Sequence, residues 1–559
     1  MVLTHLHSYK RPPSATIALQ GGIDLHRDTK IAGIDWSANR MLPTFQAPQH
    51  LDIYDIRSAP HDVQLSVTTM AGLVNRPQPQ VYFINTDDDI FWLKEALSSI
   101  PHDTPSVPHN AVLDAFLTTY RSRVQGMIIY DPNFVDSSNI ATMLAGQRDG
   151  LVVSPAQVET LQQEPHKLPI LADLRTYHWR TRLDAYSWAQ QHLLDKASSR
   201  LIAGLAPNIV TGLRSFLVAT RTFVYWLDSR NFLPDPAHGW TSERCLMAQI
   251  LKALPPGGTH LGWFIDEGSG VTLASEAAKA VLASDFFSNL EVWTSIGSTA
   301  PIIKQATEAK QTSTPAPKVY VSFTMSDGDN LQYNQHRMLK LWRDPARGSV
   351  PIGWTISPVL PQAAPNMAAY YTHTATHNDE LIAGPSGAGY IFPSRWPKEY
   401  LPAFLERTGQ LMRDWNLSLL EVLDTTFLQG AGLPFLSFPD RRGMLLANTE
   451  LQQQFARALA PFGVRGIFSG AGLVNPTWAI SAEHVPIYQN LGLANSVDRT
   501  VSLIQSAASA RDDRPLFLNV YVLAWTMTPS DLKQVVERLD SNYEVVTPGT
   551  LLAMIAQTQ

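Results

Sequence analysis

The sequence predicts an α/β protein in which an N-terminal Rossmann-like α/β region is followed by a C-terminal (β/α) barrel-type domain. Short apolar segments typical of strands alternate with helical segments along most of the 559 residues, and this alternation indicates parallel βαβ units. After residue 318, about seven such strands occur within roughly 240 residues, which is the size of a single β/α barrel. A polar segment rich in Thr and Ser separates the two parts.

The predicted domain boundaries follow from these changes of pattern. Residues 1–45 lack a regular period and are predicted to be irregular, and residues 46–297 form the α/β region, which could contain two subdomains. Residues 298–317 have little to bury and are predicted to be a linker. Residues 318–559 form the barrel, with predicted strands at 318–323, 351–356, 381–384, 418–423, 466–469, 515–520 and 543–546. The clearest predicted helices between them are 400–415, 450–460 and 530–540.

Composition and charge limit the classes of function. Hydrophobic residues make up 45% of the chain and charged residues 16%, which supports a large core and argues against disorder. The net charge is −6 without a basic stripe, so nucleic acid is not an expected partner, because phosphate binding needs clustered Lys and Arg. No apolar stretch approaches the ~18 residues of a membrane span, and the N-terminus lacks the core of a signal peptide. We therefore expect no membrane association and, by default, a cytoplasmic location, which removal of a leader would change.

An acidic loop, Ser326-Asp327-Gly328-Asp329-Asn330, follows the first predicted barrel strand. Active sites of β/α barrels are built from the loops at the carboxyl ends of the strands. Two carboxylates separated by one glycine can turn into one pocket, where their shared charge raises one pKa, as a general acid requires. Asp327 and Asp329 are therefore candidate acids, and Asn330 is a candidate substrate ligand. The alternative is an Asx turn or a helix N-cap.

A second pair of carboxylates, Glu421 and Asp424, accompanies the fourth predicted strand of the barrel. Glu421 lies within an apolar run, where a carboxylate is costly to bury unless it has a role or a partner. A structural ion pair would also explain it. If one of these groups faces Asp327 or Asp329 across the barrel mouth, the pair has the arrangement used to cleave glycosidic bonds, and the separation of the carboxyls determines the stereochemistry. In that arrangement Glu421 or Asp424 is the base or nucleophile.

Several polar and aromatic residues near strand ends are candidates for lining the pocket. Rings there could stack on sugars, hydroxyl and carboxyl groups could bind sugar hydroxyls, and packing in the core is the alternative for each. Glu267 belongs to the N-terminal region and would reach the same cleft only if the two parts pack together. These candidates are Trp354, Asp379, Ser386, Tyr390, Trp396, Trp525 and Glu267.

The pair His373 and His377 raises a metal-dependent alternative. Together with Asp327 or Asp329, the two imidazoles resemble the Asp/His/His metal set of polysaccharide deacetylases. In that fold, however, the histidines follow a strand, whereas here they precede the strand at 381–384. The preferred hypothesis therefore contains no metal ligand, and no cofactor is expected.

The stretch Gly387-Ala388-Gly389-Tyr390-Ile391-Phe392-Pro393 resembles the GxGYxYP family, which is named for this signature and described as glycoside hydrolases. Gly387, Gly389, Tyr390 and Pro393 match, whereas Phe392 replaces the second tyrosine. The acidic loop at 326–330, Gly353-Trp354-Thr355 and, in the N-terminal region, 72–76 and 266–267 are also similar to that family. The resemblance implies a carbohydrate substrate and a glycosidase. A carbohydrate-binding protein without activity is the further alternative, and the sequence gives no indication of the oligomeric state.

Overall fold

The computed structural model describes residues 31, 33–37, 40–297, 315–328, 330–425, 449–473 and 477–558. Most of the predicted irregular segment at 1–45 and of the predicted linker at 298–317 lies outside these ranges. Within them, the chain forms an N-terminal region of parallel sheets and a C-terminal barrel.

The N-terminal region contains twelve strands in the described residues. These are β1 Ile34–Asp35, β2 Thr44–Phe45, β3 Leu51–Asp55, β4 Val81–Ile84, β5 His102–Asp103, β6 Gly126–Ile129, β7 Gly150–Val153, β8 Ile170–Asp173, β9 Leu201–Gly204, β10 Phe223–Tyr225, β11 Thr259–Gly262 and β12 Ala280–Leu282. Its α-helices are α1 His61–Asn75, α2 Asp87–Ala96, α3 Val112–Tyr120, α4 Ser137–Arg148, α5 Val158–Gln162, α6 Arg182–Leu193, α7 Arg214–Ala219, α8 Glu243–Lys252, α9 Glu267–Glu276 and α10 Leu290–Thr294.

Three parallel sheets follow one another along this region. Their strand orders are β4-β3-β5, β7-β6-β8 and β10-β9-β11-β12, and β1 and β2 form a separate antiparallel ribbon. Strands β4, β6 and β7 are short, apolar and buried at every position, which is expected where helices cover both faces of a sheet. Arg76, at the end of α1, ties the three units together. Its guanidinium donates to the carbonyl oxygens of Ala219, Val218 and Gly146 and forms an ion pair with Asp149.

The C-terminal part is a closed barrel of seven parallel strands, which confirms the predicted fold class. Its strands are β13 Val319–Met325, β14 Ile352–Ile356, β15 Asp379–Ala383, β16 Leu419–Val422, β17 Gly466–Leu473, β19 Pro486–Ala494 and β20 Leu516–Val522, with β18 Thr477–Ile480 antiparallel to β19 and β21 Tyr543–Val545 beside β13. Its α-helices are α11 Leu331–Gln335, α12 Arg337–Trp342, α13 Leu360–Ala363, α14 Pro365–Thr374, α15 Leu401–Asp414, α16 Thr449–Leu459, α17 Val497–Ser509, α18 Pro529–Glu537 and α19 Pro548–Gln557.

Strand β13 closes the barrel by pairing with three neighbours. Strand β20 runs along one edge of β13, whereas β14 pairs with its carboxyl half and β21 with its amino half. Six of the seven predicted strands are barrel strands and the seventh is β21. The barrel strand absent from the prediction is β19, which contains the polar residues Gln489 and Asn490. The side chain of Asn490 is buried, where it donates to the Gly470 carbonyl at 2.9 Å and accepts from Asn519 at 2.7 Å.

The amino end of the barrel is closed by helix α19. Leu551, Leu552 and Ile555 pack against Tyr320 and other lumen residues there. The N-terminus of α19 meets Glu380, whose carboxylate accepts a hydrogen bond of 2.6 Å from the Gly549 N–H, and burial raises the pKa of Glu380 to about 7. With this end filled, a substrate can approach only the carboxyl ends of the strands, as in other β/α barrels.

The N-terminal region packs directly against the barrel. The Leu331 N–H, at the start of α11, donates to the Ala283 carbonyl just after β12 at 2.8 Å. The indole of Trp92 in α2 donates to the Gln335 carbonyl at the end of α11 at 2.7 Å. The third sheet is therefore held beside the mouth of the barrel, where its loops can complete a cleft.

Candidate functional site

Asp327 occupies the turn that follows β13 at the carboxyl end of the barrel. Its backbone φ of 75° is left-handed, a conformation that costs a residue with a side chain about 1 to 2 kcal/mol. Glycine is required at the next position, because a Cβ on Gly328 would lie 2.0 Å from the carbonyl carbon of Thr355. The Gly328 N–H donates to the Thr355 hydroxyl at 2.9 Å, and the Ser326 hydroxyl donates to Asp327 at 2.7 Å. These contacts fix the direction of the Asp327 carboxylate at the barrel mouth.

Glu421 lies in β16 and has no solvent-exposed surface. Neither of its carboxyl oxygens has a hydrogen-bond partner among the residues that the structure describes. Burial and, second, the charge of Asp327 raise the pKa of Glu421 well above its ordinary value. Because an ionised carboxylate without partners is very costly in such surroundings, burial favours the neutral form of Glu421.

Glu267, the first residue of α9, comes to the same place from the N-terminal region. It accepts a hydrogen bond of 2.9 Å from the Tyr390 hydroxyl. Surrounding protein and the charges of Asp327 and Asp266 raise the pKa of Glu267, although its side chain is exposed to solvent. The effect of the Asp327 charge on Glu267 shows that these two carboxyl groups, from different parts of the chain, are close to each other. The two parts of the chain therefore share one site.

Asp327 couples the three carboxyl groups. Its negative charge raises the pKa of both Glu421 and Glu267. Burial raises the pKa of Asp327 itself, whereas hydrogen bonds from Ser326 and Trp525 favour its ionised form. Interacting carboxyls of this kind lose their protons in separate steps. The site can thus hold an acid and a carboxylate at the same pH, which acid–base chemistry requires.

The signature loop at residues 387–393 fastens the barrel to the third sheet. The backbone of Tyr390 pairs with Val281 of β12 through two hydrogen bonds, of 2.8 and 3.1 Å. Gly389 has a φ of 142°, and a Cβ there would lie 2.9 Å from the Cβ of Ala280. The Tyr390 ring lies nearly parallel to that of Trp263, with centroids 6.4 Å apart. The loop therefore places the Tyr390 hydroxyl on Glu267, whereas the ring is buried beside Trp263.

Replacement of Gly389 by alanine is expected to loosen this attachment. The new methyl group would contact β12 and the backbone would be strained, so we expect the free energy of unfolding in urea to fall by about 2 to 4 kcal/mol. Gly463→Ala is the matched control, because Gly463 has a φ of 92° and a Cβ added there would meet nothing within 4 Å. Equal losses of unfolding free energy in the two variants would show that the contact with β12 does not contribute to stability.

Five of the residues proposed from sequence lie together: Asp327, Glu421, Glu267, Tyr390 and Trp525. The indole of Trp525 is 49% exposed after β20, next to Asp327. Asp329 lies outside the described residues. The structure thus brings together carboxyl groups from β13, β16 and α9 with aromatic rings at the mouth of the barrel.

Four further candidates have polar groups or rings engaged in local structure. Asp424 accepts hydrogen bonds from the N–H and hydroxyl of Ser394. The hydroxyl of Ser386 donates to the carbonyls at positions 391 and 423, and Asn330 caps α11. The ring of Trp396 is buried against that of Phe404, with centroids 5.0 Å apart. These residues shape the loops around the mouth.

Trp354 and Asp379 contact each other away from the cleft. The Trp354 indole donates to Asp379 at 2.8 Å, and the other carboxylate oxygen of Asp379 pairs with Arg347. Asp379 is the first residue of β15, so the pair lies toward the amino end of the barrel. The sequence placed Trp354 near the carboxyl end of its strand. Its ring extends back along the strand toward the amino end of the barrel, which the sequence position did not reveal.

Tyr333 is a feature of the site that the sequence pattern did not indicate. Its hydroxyl is buried in α11 without a hydrogen-bond partner among the described residues. Burial and the charge of Asp327 raise its pKa, and its ring meets that of Trp525 at 5.9 Å. Because Tyr333 lies within a helix without any motif, only the geometry could reveal its place beside Asp327.

The histidines of the metal-dependent alternative do not approach the acidic loop. His373 is near the end of α14, which leads into the amino end of β15, whereas Asp327 follows the carboxyl end of the parallel strand β13. Within the described ranges, no group of His, Cys, Asp and Glu is arranged to hold a metal ion. His373, His377 and Asp327 thus lie toward opposite ends of the barrel.

Comparison with known proteins agrees with this architecture. A structure from Bacteroides thetaiotaomicron VPI-5482, described as "a putative hydrolase", superposes with a TM-score of 0.76 and 22% identity over 94% of this chain and 99% of that chain, which establishes the shared fold. A structure described as "putative polysaccharide deacetylase", from Mycobacterium smegmatis, gives a TM-score of 0.30 and 11% identity over 44% of this chain and 92% of that chain, too low to support an argument. No curated protein matches the sequence. Among the described helices, none is long and apolar enough to cross a membrane.

Four family models match consecutive segments of the chain. They are the "GxGYxYP_N 1st domain" at 50–122, the "GxGYxYP_N second domain" at 124–197, the "GxGYxYP third domain" at 199–295 and the "GxGYxYP putative glycoside hydrolase C-terminal domain" at 317–556. The first three segments correspond to the three parallel sheets and the last to the barrel. The chain therefore belongs to the GxGYxYP family, as its signature loop indicates.

Proposed function

We propose that the protein hydrolyses glycosidic bonds in the cleft between the barrel mouth and the third sheet. The observation that supports this most strongly is that Asp327 and Glu267, two carboxyl groups from different parts of the chain, interact electrostatically, and that Glu267 is exposed to solvent. Two such groups are what glycosidic cleavage requires. The family description, which names a glycoside hydrolase, agrees with this proposal.

The surroundings of the two carboxyls suggest different roles. Glu267, whose pKa is raised by the surrounding protein and by two neighbouring negative charges, is the general acid that protonates the glycosidic oxygen as the bond to the anomeric carbon breaks. Burial raises the pKa of Asp327, but the hydrogen bonds that it accepts from Ser326 and Trp525 oppose this change and favour its ionised form. It is the carboxylate that attacks the anomeric carbon or activates a water molecule, and the separation of the two carboxyls in the substrate complex decides between these routes.

Glu421 has a supporting role in this proposal. It is fully buried, so it cannot contact a substrate, and burial together with the charge of Asp327 favours its neutral form. A neutral neighbour adds no negative charge beside Asp327, which allows that residue to remain ionised. The roles therefore differ from the arrangement expected from sequence, in which Asp327 or Asp329 is the acid and Glu421 or Asp424 is the base or nucleophile.

Aromatic rings around the carboxyls could bind the sugar. Trp263 is partly exposed on the side of the third sheet, with its ring nearly parallel to the buried ring of Tyr390, and Trp525 is exposed beside Asp327. Faces of aromatic rings give apolar contact to the C–H groups of a pyranose, while carboxyl and hydroxyl groups bind its hydroxyls. This combination supports a carbohydrate substrate.

The direct test is a screen of aryl glycosides and oligosaccharides for released sugar. The wild-type protein is compared with the double variant Asp327→Asn/Glu267→Gln, in which both groups keep their shape but cannot carry out acid–base or nucleophilic chemistry. We expect the wild type to hydrolyse at least one glycoside and the double variant to be inactive on it. Saturable binding of a glycan by wild type without turnover would instead support a binding protein and contradict the proposal.

Tyr390→Phe is expected to change the pH dependence of this reaction. The Tyr390 hydroxyl stabilises ionised Glu267, so its loss raises the pKa of Glu267 further. Because the alkaline limb of kcat/KM reports deprotonation of the acid, that limb should move to higher pH, with a fall of about tenfold at the optimum from lost positioning. Tyr400→Phe, at an exposed tyrosine, is the control. A limb that stays in place or moves to lower pH would exclude this role for Tyr390.

A further inference from the structure

A cavity of about 250 Å³ lies where the N-terminal segment, the third sheet and helix α15 meet. It is bordered by the loop before β11, whereas Glu267 follows the carboxyl end of β11. The cavity is therefore at the other end of the third sheet from the proposed active site and is independent of it. Its lining residues include Arg40, Arg200, Arg407, Trp36 and Gly257.

Arg40 and Arg200 approach the cavity, and neither forms an ion pair with a described residue. The Arg40 guanidinium donates to the carbonyl oxygens of Leu42 at 3.2 Å and Gln362 at 2.8 Å. Arg200 donates to the carbonyl of Trp36 at 3.4 Å, and its guanidinium lies 5.1 Å from the centre of that ring. These partners are all neutral. Each guanidinium has five N–H donors, so both residues retain donors for a ligand.

Arg407 lines the cavity from α15 and likewise forms no ion pair with a described residue. Its contacts are the carbonyl oxygen of Gly257 at 3.4 Å and the sulfur of Met41 at 3.2 Å. Burial lowers the pKa of Arg407, and repulsion from Arg200 lowers it further. Like charges brought together in a partly buried place are destabilising unless an anion neutralises them.

The negative charge of Asp35 acts on one of these arginines, Arg40. Burial lowers the pKa of Arg40, and the charge of Asp35 opposes that change. Asp35 is exposed, however, and no ion pair or side-chain hydrogen bond joins it to any of the three arginines in the part of the chain that the structure describes. The cavity is therefore lined by three arginines without an ion-pair partner among the described residues, and these give it a net positive charge.

We propose that this cavity binds a tetrahedral oxyanion, either inorganic phosphate or a phosphate ester. The planar donor fork of arginine matches the oxygens of such a group, and the volume can hold a phosphate together with part of a small sugar. Because the three arginines come from three parts of the chain, a bound oxyanion would connect the N-terminal segment, the third sheet and the barrel. Binding would then stabilise the folded protein in proportion to occupancy.

Isothermal titration of the full-length protein tests the site, with phosphate or glucose 6-phosphate added at constant ionic strength set by chloride. The variants are Arg407→Gln and Arg200→Gln, and the control is Arg413→Gln. Arg413 lies on the same helix, but its guanidinium stacks on Phe462 beside Asp414. We expect saturable binding to the wild type and the control, and binding at least about tenfold weaker in each test variant. Tighter binding of the sugar phosphate than of free phosphate would identify the ligand as an ester.

Two results would overturn the proposal. The first is that titration of the wild type with phosphate or glucose 6-phosphate releases no more heat than titration with chloride. This result does not depend on how the variants fold. The second is equal affinity of the wild type and of both folded test variants, with folding checked by circular dichroism. Since Asp327 and Glu267 lie at the other end of the sheet, loss of anion binding is expected to leave glycoside hydrolysis without phosphate unchanged.

Discussion

Asp327→Asn is expected to lower kcat for glycoside hydrolysis by about 10³-fold or more while the barrel stays folded. The amide oxygen can still accept the hydrogen bonds that Ser326 and Trp525 give to the carboxylate. A neutral amide, however, can neither attack the anomeric carbon nor take a proton from water at a useful rate. Initial rates on the most reactive substrate of the glycoside screen, with circular dichroism as a check of folding, measure this change.

Asp424→Asn is the matched control for this effect. Asp424 also follows a barrel strand and was an equal candidate from sequence, but its Oδ1 accepts from Ser394 and from the Thr425 N–H. An amide oxygen can accept the same bonds, so kcat should stay within about tenfold of the wild type. If Asp424→Asn were as damaging as Asp327→Asn, the assignment of the chemistry to Asp327 would lose its basis.

Glu421→Gln is expected to change how the stability of the protein depends on pH. The folded state raises the pKa of Glu421 well above its ordinary value of 4.5, so the folded protein binds this proton more tightly than the unfolded chain does. Stability from this group is complete below pH 4.5 and falls as the pH rises toward the folded-state pKa, by about 1.4 kcal/mol per pH unit. Glutamine has nearly the same shape and does not titrate. The variant should therefore gain stability relative to wild type as the pH rises.

Urea denaturation between about pH 5 and pH 8 measures this difference. Glu406→Gln is the control, because Glu406 is exposed on α15 and the control should follow the wild type. We expect the free energy of unfolding of the wild type to fall steeply with rising pH relative to that of Glu421→Gln. Parallel curves for wild type and Glu421→Gln across this range would show that Glu421 is ionised in the folded protein and would remove the reason for the supporting role given to it.

Sequence periodicity predicted much of the barrel because most barrel strands are continuous apolar segments. Strand β19 was not predicted because its apolar pattern is interrupted by Asn490. This residue is buried and accepts a hydrogen bond from Asn519 on the neighbouring strand. A polar residue in the lumen has the same sequence pattern as one exposed to solvent. The network that satisfies it joins residues far apart in the chain, so periodicity within one strand could not reveal it.

Part of the site could be predicted from the position of residues after strands, and part could not. The turn at Asp327 and the buried Glu421 were found because each accompanies an apolar strand. Glu267 was found as a residue of the N-terminal region, but its closeness to Asp327 depends on the packing of the third sheet against the barrel. Trp354 shows the opposite case, because its side chain bonds to Asp379 toward the amino end. The direction of a side chain is a tertiary property that strand patterns do not encode.

Glu267, contributed by the N-terminal region, is the proposed general acid for a reaction at the barrel mouth. The most direct test measures kcat/KM of Glu267→Gln on two glycosides of the same sugar, one with an unactivated leaving group and one with a dinitrophenolate, which departs without protonation. We expect a loss of about 10³-fold on the first substrate and of less than about tenfold on the second. Equal losses on the two substrates would contradict it.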